Sequence, residues 1–74
     1  MTWNYRIVRH HTSDSNWLAI HEVYYEEDGK PKMVSVNPVA PHGDSFDDLV
    51  KDLEMQKAAC KLPILDYTLF NRED

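Results

Sequence analysis

The chain has 74 residues, with eight Lys+Arg against thirteen Asp+Glu, four His and one Cys, for a formal charge of −5. A chain this short buries only about 60% of its unfolded surface, so a second domain is excluded and residues 1–74 are read as one unit. The acidic balance opposes nonspecific attraction to phosphate backbones or anionic lipid, the lone Cys60 excludes an internal disulfide, and no apolar run approaches the ~18 residues of a membrane span or the shape of a signal peptide; a reducing cytoplasm is the expected compartment.

Residues 3–9, Trp-Asn-Tyr-Arg-Ile-Val-Arg, are aromatic and β-branched without Gly or Pro, which predicts a first strand with Trp3, Tyr5 and Ile7 on one face. The polar cluster His11 to Asn16 reads as the turn into an antiparallel neighbour. Strands over 17–25 and 32–37 then flank Asp28-Gly29, the dipeptide suited to a two-residue turn with positive φ. That turn sets Glu27 opposite Lys30, Tyr24 opposite Met33, Val23 opposite Val34 and His21 opposite Val36. Trp17, Ala19, His21, Val23 and Tyr25 then share a face with Val34 and Val36, read as the core face. Leu18, Ile20, Glu22 and Tyr24 share the other with Met33, Ser35 and Asn37.

Asn37-Pro38 and Ala40-Pro41 end the sheet, because each proline lacks a donor and holds its predecessor extended. Ser45 with Asp48 three residues on resembles a capping box, with Asp44 as a competing cap, and predicts a helix over about 46–60. Phe46, Leu49, Val50, Leu53 and Lys57 or Cys60 recur at three- and four-residue steps and are read as the stripe that packs on the sheet, with Asp47, Asp48, Lys51, Asp52 and Glu54 mostly outside it. Pro63 closes the helix. In the C-terminal segment, 62–74, Ile64 and Leu65 suggest a stub of edge strand or a pinned tail, and Tyr67, Leu69 and Phe70 are apolar enough to dock on a neighbour.

Chemistry is sparse. His10 and His11, or His21 and Glu22, are neighbours on strands and point to opposite faces, so neither pair has metal-ligand spacing. His21 on the core face reads as a hydrogen-bonded interior histidine. Cys60 falls near a helix C-terminus, where the dipole disfavours a thiolate, and the acids of the helix spread over a solvated side. With only Gly29 and Gly43 there is no phosphate-binding loop. The expectation is a protein without catalytic residues, metal or cofactor.

Trp3-Asn4-Tyr5-Arg6-Ile7, Ile20-His21-Glu22-Val23-Tyr24-Tyr25, Asn37-Pro38-Val39 and Lys61-Leu62-Pro63-Ile64-Leu65-Asp66 together resemble a family of small uncharacterised bacterial proteins, a likeness that implies size, fold and a bacterial cytoplasm but no activity. Gly43, Ser45, Asp47 and Asp48 at the helix entry are also similar to the HicB-type antitoxin domain, whose architecture is three antiparallel strands, a helix and a further short strand. The fold expected is therefore α+β: a three-stranded antiparallel meander followed by one helix on one face, with a short fourth strand near the C-terminus. One helix covers one face, so Leu18, Ile20, Glu22, Tyr24 and Met33, with Tyr67, Leu69 and Phe70 of the tail, are the expected interface. A homodimer or another protein is the expected partner. The alternative is an antitoxin-like regulator that meets a toxin, or nucleic acid through Arg6, Arg9 and the histidines.

Overall fold

The computed structural model describes residues 2–70; the last four residues of the expected C-terminal segment lie outside them. Strands β1 (Thr2–His11), β2 (Asn16–Tyr25) and β3 (Pro31–Val34) form the meander, helix α1 (Phe46–Ala58) follows, and a short β4 (Leu65–Asp66) completes a four-stranded sheet in the order β3-β2-β1-β4. The first three strands are antiparallel, and β4 runs parallel to β1, with Val8 opposite Leu65 and Arg9 opposite Asp66. This is the α+β architecture expected, and the stub of edge strand is real. No helix among the described residues is long and apolar enough to cross a membrane.

The hairpin departs from expectation at its tip. Gly29 N–H donates to Glu26 O and Glu26 N–H to Lys30 O, each at 2.9 Å, and Gly29 has φ 85°. The loop is thus three residues, Glu27-Asp28-Gly29, with glycine in the left-handed position that side chains avoid. Asp28 Oδ1 accepts from Lys30 N–H at 2.9 Å and fixes the turn. Near the tip Tyr25 therefore pairs with Pro31, one residue out of the expected register, yet Tyr24 pairs with Met33 and Val23 with Val34 as expected. The intervening Lys32 is a bulge that absorbs the extra loop residue. β3 ends at Val34, short of the expected Asn37, and Val36 is left solvent-exposed.

Ser45 is the helix cap: its hydroxyl accepts from Asp48 N–H at 3.1 Å, with Asp47 and Asp48 at the positive end of the dipole. Gly43 is required just before it, because a Cβ there would collide with the backbone of Asp48 and Leu49. After Ala58 the chain tightens into a 3-10 turn, Ala59–Lys61, that ends before Pro63.

Two expectations about packing are corrected. The helix lies on the face of Tyr5 and Glu22, where Tyr5 Oη donates to Asp52 Oδ1 at 2.6 Å, and not on the face of His21 and Val23. That other face is the more deeply buried one, with Val8, His21 and Val23 fully buried, but it is closed by a second 3-10 turn, Tyr67–Phe70. The helix is also rotated about its axis. Leu49, Asp52, Gln56 and Ala59 are its covered positions, Gln56 and Ala59 being buried, whereas Phe46, Val50 and Leu53 are 78%, 38% and 46% exposed. The reason is polar: Asp52 is held by Tyr5, by His42 N–H at 2.8 Å and by Gln56 Nε2 at 3.2 Å, and these partners lie on the sheet side and in the loop that crosses to the helix.

Candidate functional site

On the buried face of the sheet the antiparallel register puts His10 opposite Trp17, Val8 opposite Ala19 and Arg6 opposite His21. The two imidazoles lean toward each other along the strands, and their Nε2 atoms meet at 2.9 Å. His21 Nδ1 lies 3.0 Å from Ser35 O and 3.1 Å from Ser35 Oγ. A carbonyl can only accept, so Nδ1 carries the proton, the Nε2 of neutral His21 is a lone pair, and His10 Nε2–H is the donor. Ser35 Oγ donates in turn to Asn37 O at 2.9 Å. Burial pushes the His21 pKa down, with the Ser35 carbonyl opposing and nearby His10 adding to the fall. The His10 ring is flanked by Trp17, at a centroid distance of 4.0 Å and 7° from parallel, and by Tyr67 of the C-terminal turn, at 4.6 Å and 29°. This aromatic stack, invisible in sequence because Tyr67 is so distant from His10, pins the turn to the sheet.

The opposite edge of the same turn is held by a charge. His11 Nδ1 is 2.7 Å from Asn16 Oδ1 and its Nε2 2.6 Å from Asp66 Oδ2. Both partner atoms are oxygens that accept, so the protonated ring, with an N–H on each nitrogen, satisfies both bonds at once. The Asp66 hydrogen bond, followed by that of Asn16, raises the His11 pKa, and His11 with the two Thr68 donors holds the Asp66 carboxyl well below the usual carboxylate range. On the helix side, the bond to Asp52 pushes the Tyr5 phenol up to about 12, and Tyr5, then His42 N–H, lowers Asp52.

The His10 Nε2–H and the His21 Nε2 lone pair are spent on one another, and the fully buried His21 has no solvent face. Among the described residues no group of three or more His, Cys, Asp or Glu converges on a possible metal position. Arg6, one of the two expected nucleic-acid contacts, is drawn into the fold: its guanidinium donates to Tyr25 Oη at 2.9 Å and Pro63 O at 2.7 Å. Arg9 is exposed.

The expected interface residues fall on two surfaces. Leu18, Ile20, Glu22, Tyr24 and Met33 lie on the helix-bearing face, with Leu18 and Met33 exposed, Ile20 half-buried, and Tyr24 Oη donating to Glu22 Oε1 at 2.6 Å. Tyr67, Leu69 and Phe70 lie on the opposite face in the chain's own C-terminal turn; Tyr67 and Phe70 are half-buried there and Leu69 is exposed. What sequence reasoning missed is the outward edge of α1, where Phe46, Val50 and Leu53 line up free of the sheet. The spacing was visible; that Asp52 and Gln56 would take the inward positions was not. The chain matches no protein-family model, no curated protein and no solved structure, so the site is read from its own chemistry.

Proposed function

We propose that the protein is a non-catalytic interaction module whose working surface is the outward edge of α1. One observation carries this reading: the helix turns the polar Asp52 and Gln56 inward beside Leu49 and leaves the apolar Phe46, Val50 and Leu53 on its outward edge. Asp52 and Gln56 face Tyr5 and the loop at His42, while Phe46 stays largely in water and Val50 and Leu53 keep between a third and a half of their surface there. An amphipathic helix that serves only its own domain does the opposite. Burying those three side chains against a partner would recover on the order of 1–2 kcal/mol each, which the folded chain alone forgoes.

The test is photocrosslinking in the cells that express the protein, with a benzophenone amino acid in place of Phe46 and, as a control, in place of exposed Ser13. A discrete adduct from position 46 alone, whether to another protein or to a second copy, supports the reading. Equal or absent labelling at the two positions refutes it.

A further inference from the structure

We infer that the occupant of this edge is a second copy of the same chain, paired helix against helix in antiparallel sense about a twofold axis near Lys51 and Asp52. The inference rests on the interaction-module reading and names its partner. Two features of the edge point to self-pairing.

The first is spacing. Phe46, Val50, Leu53 and Lys57 follow one another at four, three and four residues, and exposed Cys60 extends the series by three in the turn beyond the helix. That alternation is the seam of a two-helix coiled coil. In an antiparallel pair, positions of the two seam types face each other. Val50 of each copy then packs on Leu53 of the other, and Phe46 packs on the aliphatic stem of Lys57.

The second is charge. The helix carries acids at its start, Asp47 and Asp48 with Asp44 just before, and bases at its end, Lys57 and then Lys61. A surface with opposite signs at its two ends is complementary to itself when turned end for end, which brings Lys57 beside Asp47 of the second copy and opposes the two helix dipoles favourably. A parallel pair would instead set Lys57 against Lys57 and acid against acid. Asp47 also meets Glu54 of the second copy on one flank, a rim repulsion that keeps the association weak and salt-sensitive. The seam spans a helix of only 13 residues, so a reversible dimer is expected rather than an obligate one.

The experiment is sedimentation of the full untagged chain over a concentration series, with each variant's fold checked by circular dichroism at low concentration. A monomer–dimer equilibrium is expected, weakened about tenfold or more by Leu53→Glu at the seam. Lys57→Glu should weaken it as well, and adding Asp47→Lys to Lys57→Glu should restore it. That rescue cannot arise from the monomer, because both changes oppose the helix dipole and each alone destabilises α1. A chain that stays monomeric at high micromolar concentration overturns the inference, as does a dimer indifferent to Leu53→Glu or one in which the charge swap fails to rescue. If the chain is monomeric while position 46 crosslinks to a different protein, self-pairing fails and the interaction-module reading stands.

Discussion

His10 and His21 share a single proton between facing Nε2 atoms at 2.9 Å, and the direction of that bond is set from behind by Ser35, whose carbonyl fixes the proton of His21 on Nδ1. The pair links β1, β2 and the segment after β3, and through the Tyr67 stack it links all three to the C-terminal turn. Protonating His21 sets two N–H groups against each other and places a cation where no water reaches.

Stability should therefore fall on mild acidification. The unfolded histidine titrates near 6.5 and the folded one lower, so below about pH 6.5 the unfolded chain binds more protons and ΔG of unfolding decreases, levelling once folded His21 is also charged. Urea midpoints measured from pH 7 to pH 5 should drop in the native protein and change less in His21→Asn. A slope that survives the substitution unchanged would sink the assignment of a buried neutral ring.

The His11 contact has the opposite sign. Its pKa is raised in the folded state, so its contribution is complete below the unfolded value near 6.5 and is lost as pH rises through the folded one. Asp66→Asn should remove that alkaline decline and loosen the Tyr67–Phe70 turn. Chymotryptic cleavage after Tyr67 or Phe70 should quicken in the variant, most clearly below neutral pH where the native clasp is intact.

The rotated helix gives a ranking. Asp52→Ala strips the acceptor from Tyr5, His42 N–H and Gln56 at once, whereas Leu53→Ala shortens a side chain that is nearly half in water and should cost about 1 kcal/mol or less in the dilute monomer. Asp52→Ala should be the more damaging of the two in chemical denaturation. Tyr5→Phe, which removes one donor and keeps the ring, should cost about 0.5–1.5 kcal/mol. Leu53→Ala ranking first would mean that α1 presents its apolar edge to the sheet after all.

At the helix start, Ser45→Ala should cost about 1 kcal/mol and Asp44→Ala much less, because only Ser45 bonds Asp48 N–H while Asp44 is exposed beside His42 at 3.7 Å. Thermal melts of the two single variants and the double variant decide this, and equal losses at the two positions would show shared capping.

Strand identity, the Ser45 cap and the closure before Pro63 were legible because each depends on neighbours in sequence: β-branched runs, a hydroxyl three residues before a free N–H, a proline without a donor. The helix phase was not. Periodicity assigns Leu53 inward on hydrophobicity alone, and it has no access to Tyr5, whose phenol needs an acceptor and finds Asp52. The same limit hid the clustering of His10 with His21 and Tyr67, since nothing in the local pattern says that the tail crosses to the face away from the helix. The central hairpin register was recovered despite a misread turn, because the three-residue loop and the Lys32 bulge displace the chain in opposite directions.

Those two irregularities leave the hairpin tolerant of length change at two separate points. Deleting one residue from Glu27-Asp28-Gly29 leaves a two-residue turn that still closes on Glu26 and Lys30, and deleting Lys32 leaves a regular ladder in which Pro31 faces Tyr25 and Met33 faces Tyr24. Either change keeps Val34 opposite Val23. Among related chains, hairpins one residue shorter at the tip or at Lys32 should accordingly occur, each without the other, whereas a deletion at Met33, which would move Val34 off the face of Val23, should be rare.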